Sequence, residues 1–186
     1  MKKNRIPPGQ RVTTKFPVLH EGRTPVFDEA RWDFSVEGEI DNPIKLSWKE
    51  LLGLPKVKMV SDFHCVTSWS RLGNEWEGML FSEIASVVRP KETAGFVTVV
   101  CEQGYTTSLS LDELMDDDVL LAYGLEGEPL PPEHGGPLRL VVPKKYGYKS
   151  AKWVRKLVFT KEKELGFWEK RGYSDSADPW KEERYS

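Results

Sequence analysis

The sequence is poor in cysteine and histidine and has no excess of charge of either sign. Its 186 residues include two cysteines and three histidines, and the formal net charge is −2. Two cysteines this far apart form neither a disulfide framework nor a CxxC zinc or redox motif. A general nucleic-acid binder would show a clear basic excess, so we expect no nucleic-acid partner. Each thiol therefore needs an explanation of its own.

Long apolar runs are also absent. No segment approaches the length of a bilayer span, and the first residues, MKKNRIPPGQRVTTKFP, lack the apolar core of a secretory signal. We therefore expect no membrane span and a cytoplasmic protein with reduced thiols. The contents of 39% hydrophobic and 11% aromatic residues are those of a folded globular protein.

Hydrophobic patterning predicts an α+β domain with mixed sheets, short helices and long loops. Apolar and polar residues alternate in RWDFSVEGEI, as in a half-buried strand, whereas the β-branched run GFVTVVC is typical of a buried one. Ser47 with Glu50, and Ser110 with Glu113, form S-x-x-E capping boxes that predict the starts of two short helices. Strands and helices interleave without regular βαβ units, which favours α+β.

The domain organisation follows from composition along the chain. Residues 1–30 are polar and contain prolines, and we expect them to form an N-terminal arm packed on a domain that spans residues 31–186. The chain has no internal repeats and no low-complexity tracts. Its last segment, GFWEKRGYSDSADPWKEERYS, is too aromatic for a disordered end.

Cys65 lies in SDFHCVTSWSRLGNEWEG, where its neighbours are polar and aromatic rather than aliphatic. Three roles are open: a buried structural thiol, a nucleophile, or a ligand of a soft metal. His64 is a poor general base for this thiol, because adjacent residues of a strand point to opposite faces. One thiolate is too few for a structural zinc site, so any metal here must take most of its ligands from something other than protein.

A second candidate site is EHGGPLRLVVPKKYGYKSAKWVRK, in which glycine-containing loops flank a predicted buried strand. Its cations are Arg139, Lys144, Lys145, Lys149 and Lys152. Such a run usually forms a solvated face. A loop of glycine and small residues also lets backbone N–H groups and cationic side chains approach a phosphate. Both interpretations stay open, the second being a site for the anionic tail of a cofactor.

A third candidate is Tyr105 in CEQGYTTSLSLDE, just beyond a predicted strand. Its phenol is either a proton donor to a reacting oxygen or a half-buried aromatic without a chemical role. The pattern alone does not separate the two.

Taken together, these segments resemble the sulfite-oxidase-type molybdopterin domain. The matching pieces follow that family's order and cover nearly the whole chain from FPVLHEG onwards: FHCVTSWS, WEG, GYTTSLSLDE, LLAYGLEGEPLPPEHGGPLRLVVP and KYGYKSAKWV. The last two are the most specific, since they combine an H-G-x-P-x-R turn and strand with a glycine loop and an S-x-K. The resemblance implies the α+β fold of that domain, a molybdenum–molybdopterin cofactor, and an enzyme that catalyses two-electron oxo transfer.

The resemblance also implies roles for individual residues. Cys65 is implied to be the single protein ligand of molybdenum, and Tyr105 the active-site tyrosine beside the metal. The residues implied to contact the pterin and its phosphate end are His20, His134, Arg139, Ser150, Ala151 and Lys152. The cofactor carries the redox chemistry, while the protein supplies thiolate, orientation and electrostatics. Electrons are expected to pass to or from an external partner that the sequence does not identify.

The segment after Cys65 departs from the sulfite oxidases proper, in which an Asn-Arg-Arg cluster follows the ligand cysteine and binds sulfite. Here the sequence is CVTSWSRLG, with Arg71 as the first cation, and it resembles the methionine-sulfoxide reductase branch more closely. We therefore expect a small S-oxide or N-oxide as substrate. Sulfite oxidation is the alternative within the same class, and a redox-inactive molybdopterin-binding module is the alternative from another class.

Overall fold

The structure, a computed structural model, describes residues 4–186. In chain order, its strands and α-helices are β1 (Arg11–Val12), β2 (Asp33–Gly38), β3 (Ile44–Ser47), α1 (Trp48–Leu52), β4 (Val57–Cys65), β5 (Trp69–Leu80), α2 (Phe81–Val88), β6 (Phe96–Cys101), β7 (Thr106–Ser110), α3 (Leu111–Leu114), β8 (Leu120–Leu125), β9 (Glu128–Pro129), β10 (Arg139–Val141) and β11 (Val154–Thr160). Short 3-10 helices occupy Glu102–Gly104, Pro132–His134, Gly147–Lys149, Glu169–Arg171 and Pro179–Lys181.

The strands of the described residues form two mixed sheets. One has the order β1-β5-β8-β10, with β4 paired to β5 and β9 paired to β8; the other has the order β3-β2-β11-β6-β7. β1 runs parallel to β5, and β2 runs parallel to β11, whereas the other pairs are antiparallel. Mixed sheets, short helices and long connections confirm the predicted α+β class.

Local sequence signals explain where the helices begin and end. At α1 the Ser47 side chain accepts from the Glu50 backbone and the Glu50 carboxylate accepts from Ser47, as the predicted capping box requires, and the same reciprocal pair forms at Ser110 and Glu113. α2 packs Phe81, with its other buried residues, into a core cluster that contains residues of both sheets. No helix of the described chain is both long enough and apolar enough to cross a bilayer.

The described part of the N-terminal segment lies against the first sheet. Arg5 donates to both carboxylate oxygens of Asp62, at 2.6 and 2.7 Å. β1 then pairs with the first residues of β5, with Arg11 opposite Trp69. The division of the chain at residue 30 stays a prediction.

Candidate active site

A cavity of about 370 Å³ lies where the β4–β5 hairpin, the 3-10 helix Gly147–Lys149, the N-terminal segment and the C-terminal segment meet. Seven of the eight predicted site residues line it, namely His20, Cys65, Tyr105, Arg139, Ser150, Ala151 and Lys152. The eighth, His134, does not line the cavity but packs against Phe16, which does. Much of the remaining lining is aromatic and consists of Phe16, Phe63, Trp69, Tyr148, Trp153, Trp168 and Tyr173. The fold therefore gathers residues that are far apart in the sequence.

Cys65 is the last residue of β4 and faces this cavity. Its Sγ lies 3.1 Å from Thr67 Oγ1. His64 is buried on the other side of the strand, with Nδ1 2.8 Å from Ser70 Oγ, and burial lowers the pKa of its ring. Cys101 is buried on β6, where burial raises the pKa of its thiol, so that thiol stays protonated. Of the two thiols, Cys65 lines the cavity and Cys101 does not.

Arg139 and Lys152 form a cationic end of the cavity. Arg139 is 1% exposed and donates to the carbonyls of His134 at 2.6 Å and Ser150 at 2.8 Å. Lys152 Nζ donates to the carbonyls of Glu133 at 2.7 Å and Leu19 at 3.0 Å. Among the described residues, neither cation forms a salt bridge with a carboxylate, and the hydrogen-bond acceptors of both are neutral carbonyls.

The pKa values of both cations are lowered, as expected for buried cations that have no carboxylate partner. Burial lowers the pKa of the Arg139 guanidinium to about 9. Burial, with repulsion from Arg139, lowers the pKa of Lys152 to about 7. An anion at this end would stabilise both charged forms and raise both pKa values.

Tyr105 follows the 3-10 helix Glu102–Gly104 and presents its ring to the cavity. Its hydroxyl donates to the Tyr148 carbonyl at 2.6 Å, and its ring packs on Phe167 with centroids 5.7 Å apart. Burial raises the pKa of this phenol well above its usual value. The group is therefore protonated at neutral pH, and its single hydrogen already has an acceptor.

The two histidines of the prediction lie in different settings. His20 is exposed, and its ring meets the Trp153 ring edge-on at 4.9 Å. The His134 ring is stacked on Phe16 at 4.5 Å, which separates it from the cavity. Its Nδ1 is buried and has no hydrogen-bond partner among the described residues. His134 contributes to the site chiefly through its carbonyl, which holds Arg139.

Ser150 and Ala151 line the cavity through the loop that follows the 3-10 helix Gly147–Lys149. The Ser150 hydroxyl accepts from the Val142 N–H at 2.9 Å, and the Ala151 carbonyl accepts from the Leu140 N–H at 2.8 Å. Both bonds fix the loop against β10, so these residues shape the wall beside Arg139.

The other cations of the predicted basic stretch do not face this cavity. Lys144 pairs with Asp116 and Lys145 with Glu113. Lys149 is buried and pairs with Glu169 at 2.5 Å and with Asp175 at 3.2 Å. The stretch thus divides: Lys144 belongs to a solvated face, Lys149 is a structural ion pair, and Arg139 and Lys152 reach the cavity.

Arg71, the first cation after Cys65, is directed elsewhere. Its guanidinium donates to Asn74 Oδ1, forms a salt bridge with Glu126 at 3.1 Å and lies over the Phe16 ring. It does not line the cavity.

Sequence reasoning placed His20 of the N-terminal segment at the site, but it missed most of the aromatic wall and the contribution of the C-terminal segment. Phe16 comes from the N-terminal segment, and Trp168 and Tyr173 come from the C-terminal segment. The aromatic content of that last segment was the available signal, but nothing in the sequence showed that it would fold back onto the cavity.

Comparisons with known proteins agree with this geometry. Residues 21–168 match the family described as "Oxidoreductase molybdopterin binding domain". The chain is 47% identical over 183 residues, 98% of its length, to "Uncharacterized oxidoreductase YuiH" of Bacillus subtilis, of which it spans 92%. It is 33% identical over 160 residues, 77% of its length, to the catalytic subunit MsrP of a protein-methionine-sulfoxide reductase of Campylobacter jejuni, of which it spans 54%.

A structural comparison supports the same fold. The sulfane dehydrogenase SoxCD of Paracoccus pantotrophus superposes with a TM-score of 0.69 at 22% identity, over 75% of this chain and 40% of that one. The family match alone covers most of the chain.

The chain belongs to the oxidoreductase molybdopterin-binding domain family. It is a molybdopterin-dependent oxidoreductase, and its cofactor is molybdopterin with molybdenum. The comparisons thus favour an enzyme over the alternative of a redox-inactive molybdopterin-binding module.

The residues of this molybdopterin-binding domain suit such a cofactor. No group of three or more His, Cys, Asp or Glu side chains able to hold a metal occurs among the described residues, so a metal beside Cys65 needs ligands from a cofactor. Arg139 and Lys152 retain N–H groups that their carbonyl partners do not use. A buried cation without a carboxylate favours an anionic group such as a phosphate.

Proposed function

We propose that this oxidoreductase catalyses two-electron oxo transfer and that it reduces a small neutral S-oxide or N-oxide. One observation supports the choice of substrate: the strand end and turn that carry Cys65 add no charged side chain to the cavity wall. The nearest lining residues along the chain are Phe63, Val66, Thr67 and Trp69, and Arg71 is paired with Glu126 outside the cavity. A sulfite dianion would need cations there to offset its desolvation.

The geometry supports a role for each of three residues. Cys65 supplies one thiolate ligand to the metal. Arg139 and Lys152 hold the phosphate end of the cofactor with their remaining N–H groups. When bound, the molybdenum–molybdopterin group supplies the two-electron redox chemistry.

Tyr105 is the proposed hydrogen-bond donor to the oxygen of the substrate. Its raised pKa keeps the hydrogen on the phenol at neutral pH. Because that hydrogen is given to the Tyr148 carbonyl at 2.6 Å, the hydroxyl must turn from this carbonyl to the substrate. The Tyr148 carbonyl therefore positions the phenol at the wall of the cavity. It also competes with the substrate for the hydrogen of the Tyr105 hydroxyl.

Steady-state assays of molybdenum-loaded protein test the substrate. We expect reduction of dimethyl sulfoxide, methionine sulfoxide or trimethylamine N-oxide with an artificial electron donor, and weak oxidation of sulfite. Because one similar protein is named a nitrate reductase, nitrate is assayed as an additional substrate. Efficient sulfite oxidation or nitrate reduction without reduction of any neutral oxide would contradict the proposal.

The metal ligand is tested with the two cysteines as a matched pair. Cys65→Ser should remove one sulfur from the molybdenum coordination shell seen by X-ray absorption and abolish turnover. Cys101→Ser should leave that shell unchanged, because Cys101 is buried in β6. The reverse result would transfer the ligand role to Cys101.

A further inference from the structure

Three contacts from the two ends of the chain meet at the turn that carries the proposed metal ligand. The Cys65 turn, residues 65–68, joins β4 to β5. From the N-terminal side, Gln10 Nε2 donates to the Cys65 carbonyl and the Arg11 N–H donates to the Ser68 carbonyl, each at 3.0 Å. From the C-terminal side, Arg184 Nη1 donates to the Val66 carbonyl.

The Cys65 turn needs such support because its own bonds are few. Ser68 has a φ of 72°, in the left-handed region that is costly for a residue other than glycine. Its N–H donates to the Cys65 carbonyl at 3.1 Å, while Val66 and Thr67 face the cavity rather than the core. The Cys65 carbonyl lies in the peptide plane that directly follows Cys65, and the Val66 carbonyl lies in the next plane. Fixing both holds the turn at the residue that carries the thiol, and so limits how far its side chain can reorient.

The Arg184 side chain is itself held in place. The Arg184 side chain is 15% exposed, and its guanidinium lies 5.0 Å from the centre of the Tyr146 ring. Gln10 directs its amide nitrogen at the Cys65 carbonyl, although its Oε1 is thereby buried with no partner among the described residues.

Both donors lie outside the part of the chain that matches the family, which is residues 21–168. We propose that Gln10 and Arg184 are positioning residues that clamp the Cys65 turn and hold the thiolate in its ligating direction. The inference rests on the proposed role of Cys65 as the metal ligand. Loss of hydrogen bonds that orient ligating side chains weakens metal binding about 10- to 100-fold in other proteins, and here the bonds act one step further away, on the backbone that carries the ligand.

The test compares Gln10→Glu, Arg184→Met and the double variant with wild type. Glutamate has the shape of glutamine but lacks its donors, and methionine keeps much of the apolar stem of arginine. We expect molybdenum to be lost on dialysis about 10-fold faster from each single variant, with a weakened sulfur contribution of Cys65 in X-ray absorption. Arg184→Lys, which keeps a donor, should restore most of the retention.

Control variants separate the clamp from a general loss of stability. Arg11→Ala keeps its backbone bond to the Cys65 turn, and Lys181→Ala removes an exposed side chain; both should behave as wild type. Far-UV circular dichroism checks the fold, and the single variants carry the test where the double variant unfolds. Wild-type retention and sulfur coordination in the clamp variants, or equal losses in the controls, overturn the inference.

The same spectra separate failure of the clamp from failure of the proposed function. If Cys65→Ser leaves the sulfur shell intact, the ligand assignment itself is wrong. If Cys65→Ser loses one sulfur while the clamp variants keep it, the clamp inference alone is wrong.

Discussion

At the scale of single residues, the most informative side chain is Arg139. A guanidinium that is 1% exposed and lacks a carboxylate partner among the described residues is costly to fold. It lies between the rings of Phe63 and Trp76, at 5.1 and 5.5 Å from their centroids, and these contacts offset part of the cost. The remaining cost favours a ligand that carries the missing negative charge.

Truncating either cation of the cavity should therefore weaken cofactor binding without loss of fold. For Arg139→Ala and Lys152→Ala we expect pterin occupancy to fall with an affinity loss of about tenfold or more each, because a hydrogen bond to a charged group contributes about 1.5–3 kcal/mol. Lys144→Ala is the matched control, since its side chain pairs with Asp116 at the surface. Pterin content of purified protein measures the effect, and full occupancy in the double variant would remove the assigned role.

Residue identities were the part of the site that the sequence could supply. Cys65 stood out through its polar and aromatic neighbours, and Arg139 and Lys152 through a glycine-containing basic stretch. Composition and spacing alone did not separate the cations of that stretch, whereas the resemblance to the molybdopterin domain singled out Arg139 and Lys152, which line the cavity. That division depends on partners far away in the chain, as with Lys149 and Glu169.

At the scale of secondary-structure elements, the Lys149–Glu169 pair joins two parts of the site wall. Lys149 ends the 3-10 helix Gly147–Lys149, and Glu169 begins the 3-10 helix Glu169–Arg171. Both side chains are 1% exposed, and Thr107 Oγ1 donates to the same carboxylate at 2.7 Å. The pair thereby fixes the element whose Tyr148 carbonyl accepts from Tyr105.

Breaking one side of this pair should cost more than removing both sides. Glu169→Leu leaves a buried ammonium with Asp175 as its remaining carboxylate, and we expect a loss of about 3 kcal/mol in the free energy of unfolding. Lys149→Met combined with Glu169→Leu should recover much of that loss, because apolar replacements of a buried pair are often nearly neutral. Urea unfolding measures both; equal losses in the single and double variants would show that the pair is not coupled.

The elements with simple local signals were the predictable ones. The two capping boxes, the alternation in β2 and the β-branched run of β6 are all present in the structure. By contrast, β5, with 12 residues, was not assigned, since its sequence WSRLGNEWEGML mixes polar, glycine and aromatic residues. Pairing with β1, β4 and β8 establishes this strand, and such long-range pairing has no local signature.

At the scale of the whole molecule, the stability of the cofactor-free protein should depend on pH through Lys152. Below pH 7 the Lys152 ammonium is charged in both the folded and the unfolded protein, and burying that charge lowers the stability of the folded state. Between its folded pKa of about 7 and its ordinary 10.5 it is neutral in the fold but protonated in the unfolded chain, so stability rises with pH. Lys152→Met should be more stable than wild type near neutral pH, and this advantage should shrink towards pH 10.

Denaturant unfolding of cofactor-free protein across that range checks the prediction. Lys144→Met is the control, because pairing with Asp116 raises the pKa of Lys144 instead. An advantage of Lys152→Met that does not change with pH would mean that the side chain does not titrate as described.

The aromatic lining of the cavity has an optical consequence. Three of the seven tryptophans, Trp69, Trp153 and Trp168, border the space that the pterin is proposed to fill. Pterins absorb in the near ultraviolet, where tryptophan emits. Energy transfer from these indoles to the bound cofactor would therefore lower the tryptophan fluorescence of the protein. The intrinsic emission of the unlabelled protein can therefore report its own loading in real time.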